Sequence, residues 1–310
     1  MSIATRGGVG REMSQIKVVA EYGDLCGEGP LWDPDSGCLY WTDIEGQRFC
    51  RYHQASNKHE IVKQGLEISG FCLNRRGGFV IANSRGIWLW DGADDLRLIA
   101  DQVGNSKCQM NDTIADPEGR FFAGSNFYDP DHAYELGKII LVNTDGTVRV
   151  ADEGFSMPNG LAFSPDETMM YITDSAARRI YAYDYDRRTG GLRNRHVLVQ
   201  VPDDEGLPDG LTVDAAGFLW SAQWYGSCLV RYDPEGKVER RVSFPAKQVS
   251  SVAFGGKDFS DIFVTSAGKS WPSPLMPKSY DPVSGNFGGQ LYSLNLGIQG
   301  KPEYKADIRL

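Results

Sequence analysis

The chain has 310 residues, with 32 Lys and Arg against 41 Asp and Glu for a formal net charge of −9, so it offers no general surface for a phosphate backbone and nucleic acid is not an expected partner. Its 41% hydrophobic and 24% charged residues exclude a disordered polymer, and no run approaches the roughly 18 apolar residues that span a bilayer. The 36 glycines, with 14 Tyr, 14 Phe and 7 Trp, fit many turns joining aromatic-rich strands.

The opening MSIATRGGVGREM carries no apolar leader segment, so the chain is expected to be soluble and cytoplasmic, with no membrane partner. Residues 1–15 are expected to form a flexible N-terminal segment and 16–310 a single domain. The first strand-like run is IKVVAEYG, Ile16 to Gly23. A phrase then begins that recurs along the chain: a polar residue, a small residue, alternating apolar positions, then a turn. Its copies are EGPLWDPDSG from Glu28, SGFCLNRRGG from Ser69, NDTIADPEGR from Asn111, NGLAFSPDET from Asn159, DGLTVDAAGF from Asp209 and SSVAFGGKDF from Ser250.

Each copy is followed by a second strand-like run, in order CLYWTDI, GFVIANS, RFFAGSN, MMYITDS, FLWSAQW and DIFVTSA. A third follows (QRFCRYH, GIWLWDG, GKIILVN, RRIYAYD, SCLVRYD, GQLYSLN) and then a weaker fourth (HEIVKQ, LRLIADQ, TVRVADE, RHVLVQV, VERRVSF). No stretch sustains a helical period. Units of about 40 to 50 residues with four short antiparallel strands each predict an all-β, six-bladed β-propeller. The sixth unit lacks its own fourth strand, which Ile16–Gly23 is expected to supply, in competition with the C-terminal PEYKADI.

The residues that open the six phrases, Glu28, Ser69, Asn111, Asn159, Asp209 and Ser250, each carry a side-chain oxygen. Innermost strands line a propeller's channel, so these positions should form a ring at one end of the axis. Two carboxylates and two amide carbonyls suit a hard divalent cation, with calcium first and Zn, Mn or Mg as alternatives. Asn159-Gly160 and Asp209-Gly210 are also turn dipeptides, and Ser69 and Ser250 can simply fill a crowded channel. The loops Asn126–Gly137 and Gly268–Gly289 should overhang the same mouth. Asp43, Asn83, Asp174 and Trp224 end the second strands there and are expected to shape the rim; Trp224 and Tyr225 are candidate apolar walls. Six cysteines without a CxxC pair are expected as buried apolar fillers. The four histidines form no HExxH, and no GxSxG surrounds a serine, so hydrolysis through a Ser-His triad is not expected.

The motifs GEGPLWDP at Gly27–Pro34, NDTIADPEGRFFAGS at Asn111–Ser125, PNGLAFSPD at Pro158–Asp166 and PDGLTVDAAGFLW at Pro208–Trp220 resemble the senescence marker protein (regucalcin), gluconolactonase and sugar lactonase family, from about Ile16 to Tyr304. The resemblance implies one divalent metal held by Glu28, Asn159 and Asp209, with Asn111 beside it at the substrate. Family members commonly carry Arg where this chain has Gln109, which can still hydrogen-bond hydroxyls but is neutral and shorter. Asp129 falls near a lid carboxylate of relatives and is a further candidate for substrate binding. The implied reaction is opening of a sugar (aldono-) lactone, a small-molecule substrate, to the sugar acid, with Asp209 as general base. Alternatives are a phosphotriesterase-like hydrolase using the same ring and a non-enzymatic calcium-binding propeller.

Overall fold

A computed structural model describes residues 16–104, 106–125 and 136–309. Segment 1–15 and Asp129 lie outside them. Six four-stranded antiparallel sheets are arranged as a six-bladed β-propeller, as the repeat predicts. The innermost strands are Gly27–Asp33, Gly70–Leu73, Met110–Ala115, Pro158–Phe163, Leu207–Val213 and Val249–Gly255. Each lies beside the innermost strand of the next blade, and the sixth returns to the first. The N-terminal strand Lys17–Ala20 pairs with Leu291–Asn295 and forms the outer edge of blade six, so the ends of the fold are joined by backbone hydrogen bonds. A small hairpin, Gln102–Val103 with Ser106–Lys107, precedes blade three and has no counterpart in the predicted repeat.

The turn chemistry after the innermost strands of blades three and five follows from an Asp-x-x-Gly pattern. Asp116 Oδ1 accepts from the N–H groups of Glu118 and Arg120, and Asp214 Oδ1 from those of Ala216 and Phe218. Gly119 and Gly217 follow at φ +85°, a left-handed conformation that favours glycine. The same aspartates hold buried cations. Asp214 Oδ2 accepts from Arg231 Nε at 2.9 Å and Nη2 at 2.7 Å and from Trp220 Nε1 at 3.0 Å; Asp116 pairs likewise with Arg120 and Tyr185.

Between blades the core is aromatic. Phe49 meets Phe71 at 4.8 Å and Trp90 at 5.2 Å, edge to face, a geometry favoured by the ring quadrupoles. Of the six cysteines, all free thiols, five are buried and Cys26 is half-buried. Among the described residues no helix is long and apolar enough to cross a membrane.

The C-terminal segment does not compete for blade six. It crosses the end of the propeller opposite the ring and ties the turns between first and second strands. Backbone bonds join Ala215 to Gln299, Phe259 to Gly300 and Gly119 to Asp307. Lys305 pairs with Asp33 at 2.9 Å and Asp35 at 2.7 Å, Tyr304 donates to Glu167 at 2.8 Å, and Asn74 exchanges side-chain bonds with the backbone of Ile308. All six blades are touched, so the strap closes that end.

Removing one member of a buried ion pair leaves the other charge uncompensated. Asp214→Ala, which leaves Arg231 only Glu239 as an acidic partner and also loses the turn bonds, is expected to lower unfolding free energy by about 3 kcal/mol in urea titrations.

Candidate functional site

At Gly160 and Gly210 the innermost strands of neighbouring blades come too close for a side chain. A Cβ on Gly160 would lie 2.4 Å from the Asp209 carbonyl oxygen, and one on Gly210 would lie 2.5 Å from Ser251 Cβ. The glycines after Asn159 and Asp209 are therefore required by the narrow axis, and turn propensity is not their reason. Five of the six innermost strands also shift register beside the ring: at Glu28/Leu31, Met110/Thr113, Asn159/Leu161, Pro208/Leu211 and Val249/Ser251. Such bulges re-aim side chains next to sites.

The structure brings Glu28, Asn159 and Asp209 together. The Asn159 amide nitrogen donates to Asp209 Oδ1 and, at 3.2 Å, to Ser175 Oγ. Glu28 Oε2 accepts from Gly29 N at 3.1 Å. The other ring positions stitch blade to blade: Ser69 Oγ donates to Met110 O at 2.7 Å, Asn111 Nδ2 to Pro158 O at 3.1 Å and Ser250 Oγ to Gly27 O at 2.6 Å. Ser69 and Ser250 are buried and spend their hydroxyls on carbonyls, so they serve the scaffold. Gln109 is half-buried one residue before the innermost strand of blade three, at the ring end.

Asp112 was not among the expected site residues, yet its charge bears on both axial carboxylates. Burial first, then Asp209, then Asp112, hold the Glu28 carboxyl well above the usual range. Burial and then Asp112 do the same to Asp209. Burial raises Asp112 itself to about 6, against one bond from Thr113 N. The signal was in the repeat: in the column after the ring, four blades carry Gly29, Gly70, Gly160 and Gly210 and blade six carries Ser251, whereas blade three carries the charged Asp112. Asp112 also lines a cavity of about 60 Å³ between the ring and the strap, with Thr113, Thr212, Ser251 and Glu303.

Among the described residues no Lys, Arg or His pairs with Glu28, Asp112 or Asp209. Asp209 is buried and Glu28 and Asp112 are half-buried, and among the described residues no three His, Cys, Asp or Glu side chains are gathered to hold a metal ion; a divalent ion between Glu28 and Asp209, with the Asn159 carbonyl beside them, would relieve their repulsion. A larger hollow of about 500 Å³ lies at the opposite end beside Asn74, Arg76 and Ile308, where Arg76 and Arg97 are already paired with Asp307 and Asp95; it gathers no comparable set.

Of the residues expected to shape the rim, Asp43, Asn83 and Asp174 hold adjoining backbone. Asp43 Oδ1 accepts from Cys26 N and Gly46 N, Asn83 Oδ1 from Arg85 N, and Asp174 from Ser156 N and Met157 N. Tyr225, a candidate wall, is instead buried at 7% exposure, with its hydroxyl on the carbonyl of Trp271.

The family model described as SMP-30/Gluconolactonase/LRE-like region matches residues 26–268. The chain is 38% identical over 284 residues to the pentonolactonase XacC of Haloferax volcanii, covering 92% of this chain and 95% of that protein. It is 34% identical over 263 residues to regucalcin of Xenopus laevis, covering 82% and 88%. A solved structure from Agrobacterium tumefaciens, described as the calcium-binding protein regucalcin, superposes with a TM-score of 0.79 at 28% identity over 94% of this chain and 97% of that one. The four motifs, the propeller and these matches agree: the chain belongs to the SMP-30/gluconolactonase/LRE-like family.

Proposed function

We propose that the protein is a metal-dependent lactonase that opens an aldonolactone to its sugar acid. The observation that carries this reading is the meeting of Glu28 and Asp209 with Asn159 on the axis, with no protein cation between them among the described residues. Glu28, Asn159 and Asp209 would hold a divalent ion, calcium by the hardness of its donors, and such an ion supplies Lewis acidity toward a carbonyl oxygen.

Asp209 is the general base. Its Oδ1 accepts from Asn159, which fixes the carboxylate plane and leaves Oδ2 to take a proton from the attacking water. The water oxygen bonds to the carbonyl carbon, the ring C–O bond breaks, and the ring oxygen leaves as a hydroxyl carrying the proton that Asp209 accepted. Asn111 is tethered through its amide nitrogen to Pro158 O, so its carbonyl is held for a substrate hydroxyl; Gln109 serves a second, and Asp129 is assigned to the same wall. The 38% identical relative named a pentonolactonase supports a five-carbon aldonolactone as the first substrate to try.

The deciding experiment is acid release from a panel of lactones in a pH-indicator assay, with Ca, Zn, Mn or Mg and after chelation. Chelation is expected to remove turnover and added metal to restore it. Asp209→Asn should lower kcat by about 10³-fold, and Glu28→Gln should raise the metal concentration needed. Full activity of metal-free Asp209→Ala would sink the scheme. Metal binding without lactone turnover would favour a calcium-binding propeller, and preferential cleavage of paraoxon-type esters a phosphotriesterase.

Raised carboxyl values in the fold also predict a pH dependence. Between the ordinary carboxylate value near 4 and the raised ones, Asp112 at about 6 among them, the folded metal-free chain holds protons that the unfolded chain has released, so this contribution to stability falls as pH rises. The Tm of metal-free protein relative to the Glu28→Gln/Asp209→Asn variant should therefore decline from pH 5 to pH 7.5. Divalent metal should raise the wild-type Tm more at the higher pH, because fewer protons must be displaced.

A further inference from the structure

The ends of the second strands are held in two different ways. In blades one, two and four, Asp43, Asn83 and Asp174 accept backbone N–H bonds and fix the following hairpin. Blade five has Trp224 there, a residue with no acceptor. Its hairpin takes a different path: Tyr225 lies at φ +66° and Ser227 at φ +54°, with Gly226 N bonded to Gln223 O. A bulky residue in the left-handed region is strained and persists only when its surroundings hold it.

What holds Tyr225 is the long loop of blade six. Its hydroxyl donates to Trp271 O, and its ring packs on Tyr280 with centroids 4.6 Å apart. The loop is secured in turn by fully buried Gln248, whose Nε2 donates to Ala267 O at 3.0 Å and Lys269 O at 2.6 Å and whose Oε1 accepts from Tyr280 OH at 3.3 Å. Arg178 from blade four adds a bond to Leu275 O at 2.7 Å. Trp224 pairs with Leu207 and Gln223 with Pro208, so the clamp sits directly beside Asp209. Asp209 is among the charges acting on the Tyr225 phenol.

We propose that Tyr225 is a positioning residue: through its hydroxyl and ring it holds the loop Gly268–Gly289 as a preformed wall of the mouth, and that wall sets which lactone fits. The part concerning substrate rests on the lactonase reading above. The loop carries Trp271, Pro272, Pro274, Leu275 and Pro277 and no carboxylate from Gly268 to Tyr280. Of its two cations, Lys269 is occupied, 4.1 Å over the Trp271 ring and 3.0 Å from Glu45, and Lys278 is exposed. A wall of this composition, held rigid, discriminates by size, and a five-carbon lactone is separated from a six-carbon one by the room it leaves.

Hydrogen–deuterium exchange on the full chain, wild type against Tyr225→Phe, tests the clamp. Exchange across 268–289 should quicken by about tenfold or more while the strand Leu219–Trp224 stays protected. In kinetics with five- and six-carbon aldonolactones, the preference between them should shrink by about fivefold through KM, with kcat held within about twofold. Tyr280→Phe, which removes the loop's hydroxyl bond to Gln248 Oε1 and leaves the bonds from Gln248 Nε2 in place, should move both readouts in the same direction by a smaller amount. Unchanged exchange in both variants would overturn the clamp whatever the activity, and faster exchange with an unchanged preference would overturn its part in selection. If the wild type opens neither lactone, the lactonase reading fails, while exchange still decides the clamp.

Discussion

Six innermost strands meet so closely around the axis that Gly160 and Gly210 leave no room for a Cβ against the neighbouring backbone. Much of the protein's character descends from this crowding. Backbones that approach at the glycine column bring the preceding side chains together, so Asn159 bonds directly to Asp209 and the charge of Asp209 reaches Glu28. In open solvent two carboxylates would separate, but a closed ring of blades gives them nowhere to go. The repulsion is held by the packing of the blades, and that stored cost is what a divalent cation can relieve.

The two ends of the channel are built for opposite purposes. At the ring end, bulges turn polar side chains inward and the rim carboxylates hold hairpins open around a mouth. At the other end, aspartate-capped turns, buried Asp–Arg pairs and the C-terminal strap tie the blades together beside the hollow at Asn74, Arg76 and Ile308.

Blade symmetry explains what was legible and its breaking explains what was not. The ring positions Glu28, Asn111, Asn159 and Asp209 could be found because each opens the same strand of an aligned repeat. Asp43 and Asp174 followed from the same logic, as did the outer strand at Lys17–Ala20, whose spacing to the first phrase matches that of other blades. Asp112 escaped because it lies in the column where four other blades carry glycine, and its bearing on Glu28 and Asp209 appears only once the blades are closed. Tyr225 looked like a wall, but its left-handed backbone and the carbonyl of Trp271 turn it inward into a clamp, through a contact between residues 46 positions apart.

The sequence by itself determined the architecture, the number and order of the blades, and the column of oxygen-bearing residues at the axis. These follow from hydrophobic alternation and turn chemistry, which are local and repeat with each unit. Only the tertiary structure decided the company each residue keeps: which ring side chains stitch blades and which face one another as unpaired carboxylates, and that the C-terminal segment straps the far end while blade six is closed by the N-terminal strand. The reason is physical, since desolvation and repulsion depend on distances across the axis between residues far apart in the chain, and no local pattern encodes those distances.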